Sequence, residues 1–190
     1  MKHPLALRVH HIEPASRSNG PGWRTVLWLQ GCTLNCPGCF NPETHSTAAG
    51  EVIPVSLLSQ KVIADQESVE GITISGGEPL QQLPALIAFL VDIRKKTNLS
   101  LLLFSGYTLQ EIHKMPKAGF LISLVDVLIT GRYISSQRLA RGLIGSENKT
   151  AHFLSDRYSQ SDLDAVPEAE VILNKNGDII FSGIDPFYGR

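Results

Sequence analysis

The chain has 190 residues, 43% hydrophobic and 18% charged, and its 17 Lys and Arg against 18 Asp and Glu leave a net charge of −1. Such a balance gives no strong field for nucleic acid or anionic lipid, and the apolar content excludes a disordered chain. No apolar run reaches the ~18 residues that cross a bilayer, and residues 1–8 lack the apolar core of a secretory signal. These features predict a cytoplasmic protein with neither a nucleic-acid nor a membrane partner. Length predicts one domain over residues 1–190, with its core at about 24–133.

In chain order, residues 16–22 are rich in Ser, Gly and Pro and read as an exposed loop. Residues 24–30 are β-branched, aromatic and aliphatic and read as a strand. A helix is predicted over 54–70, where Val55, Leu58, Val62 and Ile63 share one face and Pro54 and Ser56 supply the start. Residues 71–75 read as a second strand. Leu83, Leu86, Ile87, Leu90 and Ile93 make one stripe of a helix over 81–96. Strands follow at 99–104 and 124–129, with a short helix at 108–114 between them. Residues 138–158 read as an ordered loop or short helix with coil. Residues 171–173 and 178–181, joined across 174–177 by a turn containing Asn176-Gly177, read as a closing hairpin.

Strand, loop and helix repeat in this order, which predicts an α/β fold on a parallel sheet. Right-handed crossovers put every strand-to-helix loop at one end, and ligands of such sheets bind beyond the strand carboxyl ends. Residues 32–39, 75–79, 105–108 and 130–133 should converge there.

Cys32, Cys36 and Cys39 stand within eight residues, an odd count that fits no secreted disulfide framework. Thiolates so spaced converge when the backbone wraps a soft metal or an iron–sulfur cluster, and Pro37 and Gly38 favour wrapping. A zinc site is the alternative, with His45 as fourth ligand. A cubane on three thiolates leaves one iron open to a small molecule. After the second strand comes Gly76-Gly77-Glu78-Pro79. Two glycines permit close approach of backbone to a ligand, Glu78 offers a carboxylate and Pro79 stiffens the exit. A Val at position 77 is expected to block the ligand while sparing a cluster.

A Cys-x3-Cys-x2-Cys loop followed by Gly-Gly-Glu-Pro resembles the radical S-adenosylmethionine superfamily. Within it, Gln30-Gly31-Cys32, Cys36-Pro37-Gly38-Cys39-Phe40-Asn41, Phe104-Ser105-Gly106-Tyr107-Thr108 and Asp126-Val127-Leu128-Ile129 are similar to the activating proteins of anaerobic ribonucleotide reductase. The chain departs at Thr130, where the family carries Asp before Gly131, and has only loose counterparts of a later pattern in Arg141-Gly142 and Ser146-Glu147-Asn148.

The resemblance implies a partial, open parallel β/α barrel with a C-terminal hairpin. It implies one [4Fe–4S] cluster on Cys32, Cys36 and Cys39, with S-adenosylmethionine on the fourth iron. The methionine end would lie on Gly76, Gly77, Glu78 and Pro79, and adenine against Gly38, Phe40 and Asn41. Ser105 and Thr130 become candidate ribose or carboxylate contacts. One electron to the sulfonium would give methionine and a 5′-deoxyadenosyl radical, and that radical would take hydrogen from a glycine of a glycyl-radical partner such as anaerobic ribonucleotide reductase. Three cysteines suffice for one cluster, so the electron would come from an external flavodoxin or ferredoxin. Two alternatives stay open: a small superfamily member acting on a free metabolite or peptide, like 7-carboxy-7-deazaguanine synthase, and a zinc-binding module without catalysis.

Overall fold

The computed structural model describes residues 4–173 and 176–184. Its strands are β1 (Ala6–Ser16), β2 (Arg24–Leu29), β3 (Glu51–Pro54), β4 (Gly71–Gly76), β5 (Ser100–Phe104), β6 (Val127–Thr130), β7 (Arg138–Arg141), β8 (Ile144–Ser146), β9 (Thr150–Phe153), β10 (Ala169–Leu173) and β11 (Ile179–Gly183). The helices are α1 (Val55–Ala64), α2 (Leu83–Lys96), α3 (Leu109–His113), α4 (Ala118–Ile122) and α5 (Gln160–Asp164).

Seven strands form one sheet in the order β3-β1-β2-β4-β5-β6-β9. The inner four, β2, β4, β5 and β6, are parallel. The outer three are antiparallel additions, so the sheet is mixed. Leu27, Leu29, Ile72, Ile74, Leu101, Leu103 and Leu128 are wholly buried in the core that Leu58, Leu86, Leu90 and Ile93 of α1 and α2 complete. Alternate residues point to the opposite face, where Leu102, Val127 and Ile129 pack against Leu143, Leu163 and Val166 from the C-terminal third.

Several expectations need correction. β1 and β3 lie where no strand was expected; β1 alternates Leu7 and Val9 inward, then breaks register between Val9 and His11. Helix α1 stops at Ala64, and Pro54 belongs to β3. Before α2 a 3-10 turn covers Pro79–Gln82. The strand expected at 124–129 is displaced to Val127–Thr130, because α4 occupies Ala118–Ile122 and Leu124 closes its last turn. Residues 138–158 hold three strands, of which β9 pairs with β6. The loop at 16–22 is not exposed: Ser16 and Ser18 are buried, and their hydroxyls donate to the Glu170 carboxylate, which also accepts from Arg17 N–H. Glu170 belongs to β10, so this loop is the seat of the expected hairpin, β10-β11. In its turn, Asn174 and Lys175 lie outside the described residues, as do Met1, Lys2, His3 and residues 185–190.

Arg24 is 0% exposed at the foot of β2. Its guanidinium donates to the Thr73 and Ser100 hydroxyls at 2.7 and 2.8 Å and to the Ile72 carbonyl at 2.8 Å. Burial lowers its pKa, the effect partly opposed by Tyr158. These neutral acceptors make the buried charge tolerable.

Candidate functional site

The cysteine loop leaves the carboxyl end of β2 and returns on itself. Gly31 N–H donates to the Thr44 carbonyl at 2.8 Å, and Cys32 N–H to that of His45 at 3.0 Å. Gln30 ties the return segment from inside, through the Glu43 and Ser46 carbonyls. Within the loop Cys39 N–H donates to the Cys36 carbonyl at 3.1 Å, and Asn35 takes a left-handed φ of 47°. All three cysteines are half-buried and free. Burial pushes the Cys32 and Cys39 thiols up.

The Gly-Gly-Glu-Pro turn is fastened to this loop by backbone. Gly77 N–H donates to the Leu29 carbonyl at 2.7 Å, and Glu78 N–H to the Gly31 carbonyl at 2.9 Å. The glycines serve this crossing. Gly76 has φ +95°, and a Cβ there would lie 2.6 Å from Leu29 backbone atoms; a Cβ on Gly77 would strike the Gly31 carbonyl oxygen. Valine at position 77 would therefore displace the cysteine loop itself, contrary to the expectation that it spares a cluster.

Glu78 is 1% exposed and turned inward. One carboxylate oxygen accepts from Leu80 N–H and the Ser105 hydroxyl, both at 2.9 Å, and the other from Gly106 N–H at 2.7 Å. Burial raises its pKa while these donors oppose the rise. Glu78 and Ser105 thus brace the end of β4 to the end of β5.

Cys32, Cys36, Cys39, Phe40, Asn41, Gly76, Gly77, Glu78 and Ser105 all line one cavity of about 620 Å³. Gly38, Pro79 and Thr130 do not line it. Gly38 turns with φ +72° beneath Ser135, and Pro79 is buried at the start of its 3-10 turn. Thr130 meets His152 Nε2 through its hydroxyl at 2.9 Å. Phe40 lies between the Tyr133 ring, 4.5 Å between centroids, and the Arg138 guanidinium, 4.9 Å from its own centroid. Arg132 pairs with Glu111 at 2.8 Å.

Sequence reasoning missed two of the cavity's walls. Glu13, His11 and His10 of β1 line it, as do residues 180–184 of the C-terminal hairpin. It also missed Lys149, the one Lys or Arg lining the cavity among the described residues. Its ammonium donates to the Gly131 carbonyl. Burial lowers its pKa, and the charges of Cys36, Glu78 and Cys39 raise it.

Among the described residues no three His, Cys, Asp or Glu side chains are gathered as ligands of one metal ion. A cubane asks for a different arrangement, since each thiolate meets a separate iron. His45 lines the cavity with its Nε2 buried and unpartnered.

Comparison with known proteins gives the family. A family model described as a 4Fe-4S single cluster domain matches residues 18–152. The anaerobic ribonucleoside-triphosphate reductase-activating protein of Salmonella typhi is 31% identical over 157 residues, 78% of this chain and 99% of its own. That of Haemophilus influenzae is 33% identical over 131 residues, 65% of this chain and 83% of its own. The pyruvate formate-lyase-activating enzyme of Clostridium pasteurianum is 40% identical over 92 residues, 46% of this chain and 37% of its own. With most of its length matched, the chain belongs to the 4Fe–4S single cluster domain family, together with the anaerobic ribonucleoside-triphosphate reductase-activating proteins.

Proposed function

We propose that this chain is a radical S-adenosylmethionine activase that installs a glycyl radical on a partner enzyme such as an anaerobic ribonucleotide reductase. One observation carries the reading. The three-cysteine loop and the Gly-Gly-Glu-Pro turn share backbone hydrogen bonds at Leu29 and Gly31 and open onto the same cavity. Cys32, Cys36 and Cys39 would hold three irons of one [4Fe–4S] cluster. When bound, such a cluster supplies one electron to the sulfonium of S-adenosylmethionine, which releases methionine and a 5′-deoxyadenosyl radical.

The chain's own residues bind, orient and exclude water. The Gly76-Gly77 backbone offers carbonyl acceptors to the cofactor's amino group. Lys149, the only ammonium or guanidinium on the wall among the described residues, supplies the counter-charge for its carboxylate. Phe40 and Asn41 form the surface for adenine. Glu78 and Ser105 act one layer behind, by fixing the turn. Leu34, Phe104, Leu143 and the hairpin residues Ile180 and Ile184 give the cavity its apolar part, which keeps a reactive radical away from water.

The four parallel strands and the β10-β11 hairpin support a partial, open parallel β/α barrel with a C-terminal hairpin. The whole chain acts as one domain, because the cavity draws walls from both β1 and β11. Three cysteines suffice for one cluster, so a flavodoxin or ferredoxin delivers the electron.

Reduced, cluster-loaded protein with S-adenosylmethionine should raise a glycyl radical doublet on an anaerobic ribonucleotide reductase, read by electron paramagnetic resonance under strict anaerobiosis. Rapid turnover of a small metabolite with no glycyl radical would overturn the activase reading.

A further inference from the structure

Glu13 is a carboxylate for which neither the fold nor the cofactor site has a use. It lies opposite Val26 in the β1–β2 pairing, on the face that carries Trp28 and Ser75, and lines the cavity. It is 8% exposed. Among the described residues its carboxylate accepts no hydrogen bond, and its one ionic neighbour is His11 Nε2 at 3.7 Å, beyond bonding distance. His11 is held away by stacking on Trp28, 5.7 Å between centroids.

A largely buried carboxylate that opens onto a cavity and lacks protein donors is an acceptor for what fills that cavity. Among the described residues no donor on that wall bonds to it, and several are engaged elsewhere. The Asn19 amide donates to the Ser16, Ser18 and Ser182 hydroxyls, the Ser18 hydroxyl donates to Glu170, and the Thr73 hydroxyl donates to the Asn19 carbonyl. Lys149, the cavity's cation, is held at Gly131. An occupant of this end of the cavity therefore finds a carboxylate free to accept its N–H or O–H groups.

Position narrows the class. Val26 precedes Leu29, where the cysteine loop begins, by three residues, so Glu13 stands about 10 Å along the strand from that end at 3.3 Å per residue. A cofactor held by the cysteine loop would occupy the loop end, which leaves the β1 wall to the molecule that gives up hydrogen. A glycine segment of a partner enzyme is extended and offers little but backbone, with N–H groups in a row.

We propose that Glu13 anchors the hydrogen-donating substrate by accepting backbone N–H groups of an extended peptide segment of the partner. This rests on the activase reading.

The test uses full-length, cluster-loaded protein with S-adenosylmethionine bound, and a synthetic peptide of the partner's glycine loop. In Glu13→Gln the peptide should bind about tenfold more weakly, and Glu13→Asp, which keeps the charge, should recover part of the loss. Iron content and S-adenosylmethionine affinity by isothermal titration should match wild type in both variants. Equal peptide affinity in wild type and Glu13→Gln would overturn the inference. So would a loss confined to S-adenosylmethionine affinity, which would make Glu13 a contact to the cofactor's ribose. Wild-type protein that binds no peptide and raises no glycyl radical would instead defeat the activase reading, and the inference with it. If Glu13→Gln fails to fold by circular dichroism, Glu13→Asp alone decides: unchanged peptide affinity upon moving the carboxylate would overturn the anchor.

Discussion

On the helix side of the sheet, Leu27, Ile72, Ile74, Leu101, Leu103 and Leu128 are fully buried and carry no polar side-chain atom. On the other side the same strands present Arg24, Trp28, Thr73, Ser75, Ser100 and Phe104, and β1 adds His11 and Glu13. The period of two along a strand separates these roles residue by residue. Burial of the first set drives folding at roughly 25 cal/mol per Å² of apolar surface. The second set contributes hydrogen-bonded polarity and a cavity, and holds it in place only because the first set fixes the strands. Stability and chemistry should therefore respond to substitution independently.

The largest separation is expected at the cysteines. Cys36→Ala should lose the cluster's iron and visible absorption after reconstitution, with unchanged far-ultraviolet circular dichroism, because each thiolate holds its own iron. Full iron content in that variant would break the assignment. The converse variant is Leu101→Ala. Loss of a wholly buried leucine should cost about 2–5 kcal/mol in urea unfolding, while the folded fraction still takes up iron. An intact unfolding midpoint would show that the helix face is less decisive than its burial implies.

A finer test lies at Lys149. Lys149→Met should weaken S-adenosylmethionine binding about tenfold, or ~1.4 kcal/mol, with Lys149→Arg intermediate and cluster content unaffected. Equal affinity by titration calorimetry would remove the counter-charge role. The smallest effect concerns Glu111, whose carboxyl is held at about 2 by hydrogen bonds from Arg132 first and from Thr108. A depressed folded-state value stabilises above the ordinary 4.5, and the gain is lost as pH falls toward 2. The pair is solvated, with side chains 41% and 39% exposed, so Glu111→Gln should flatten the acid side of the stability profile by less than about 1 kcal/mol.

The parallel core was legible because β2, β4 and β5 are short apolar runs bounded by Gly and loop residues, and the site because Cys32–Cys39 and Gly76–Pro79 carry their chemistry in local spacing. What escaped was non-local. The first strand, β1, mixes His10, His11 and Glu13 among its apolar residues because one of its faces lines a polar cavity, and its register breaks at Val9/His11. Lys149 is a lone basic residue until β9 pairs with β6 and brings it beside the cysteines. Glu78 reads in sequence as a ligand contact. It lines the cavity, and its partners Ser105 and Gly106, 27 and 28 residues away, make it a brace as well.

The contact between the loop at 16–18 and Glu170 has a consequence for biosynthesis. Residues 16–18 hold the hairpin of residues 169–183 through Glu170, and that hairpin walls the cavity. A ribosome delivers the cysteine loop and the parallel strands long before residue 170. Until residues 169–184 are made the cysteines lie in a half-built trough, and this wall arrives after the others. An incomplete chain ending before β10 would present its thiols without that cover, so an arrested or clipped product should accept a cluster and lose it to oxygen faster than the full-length protein does.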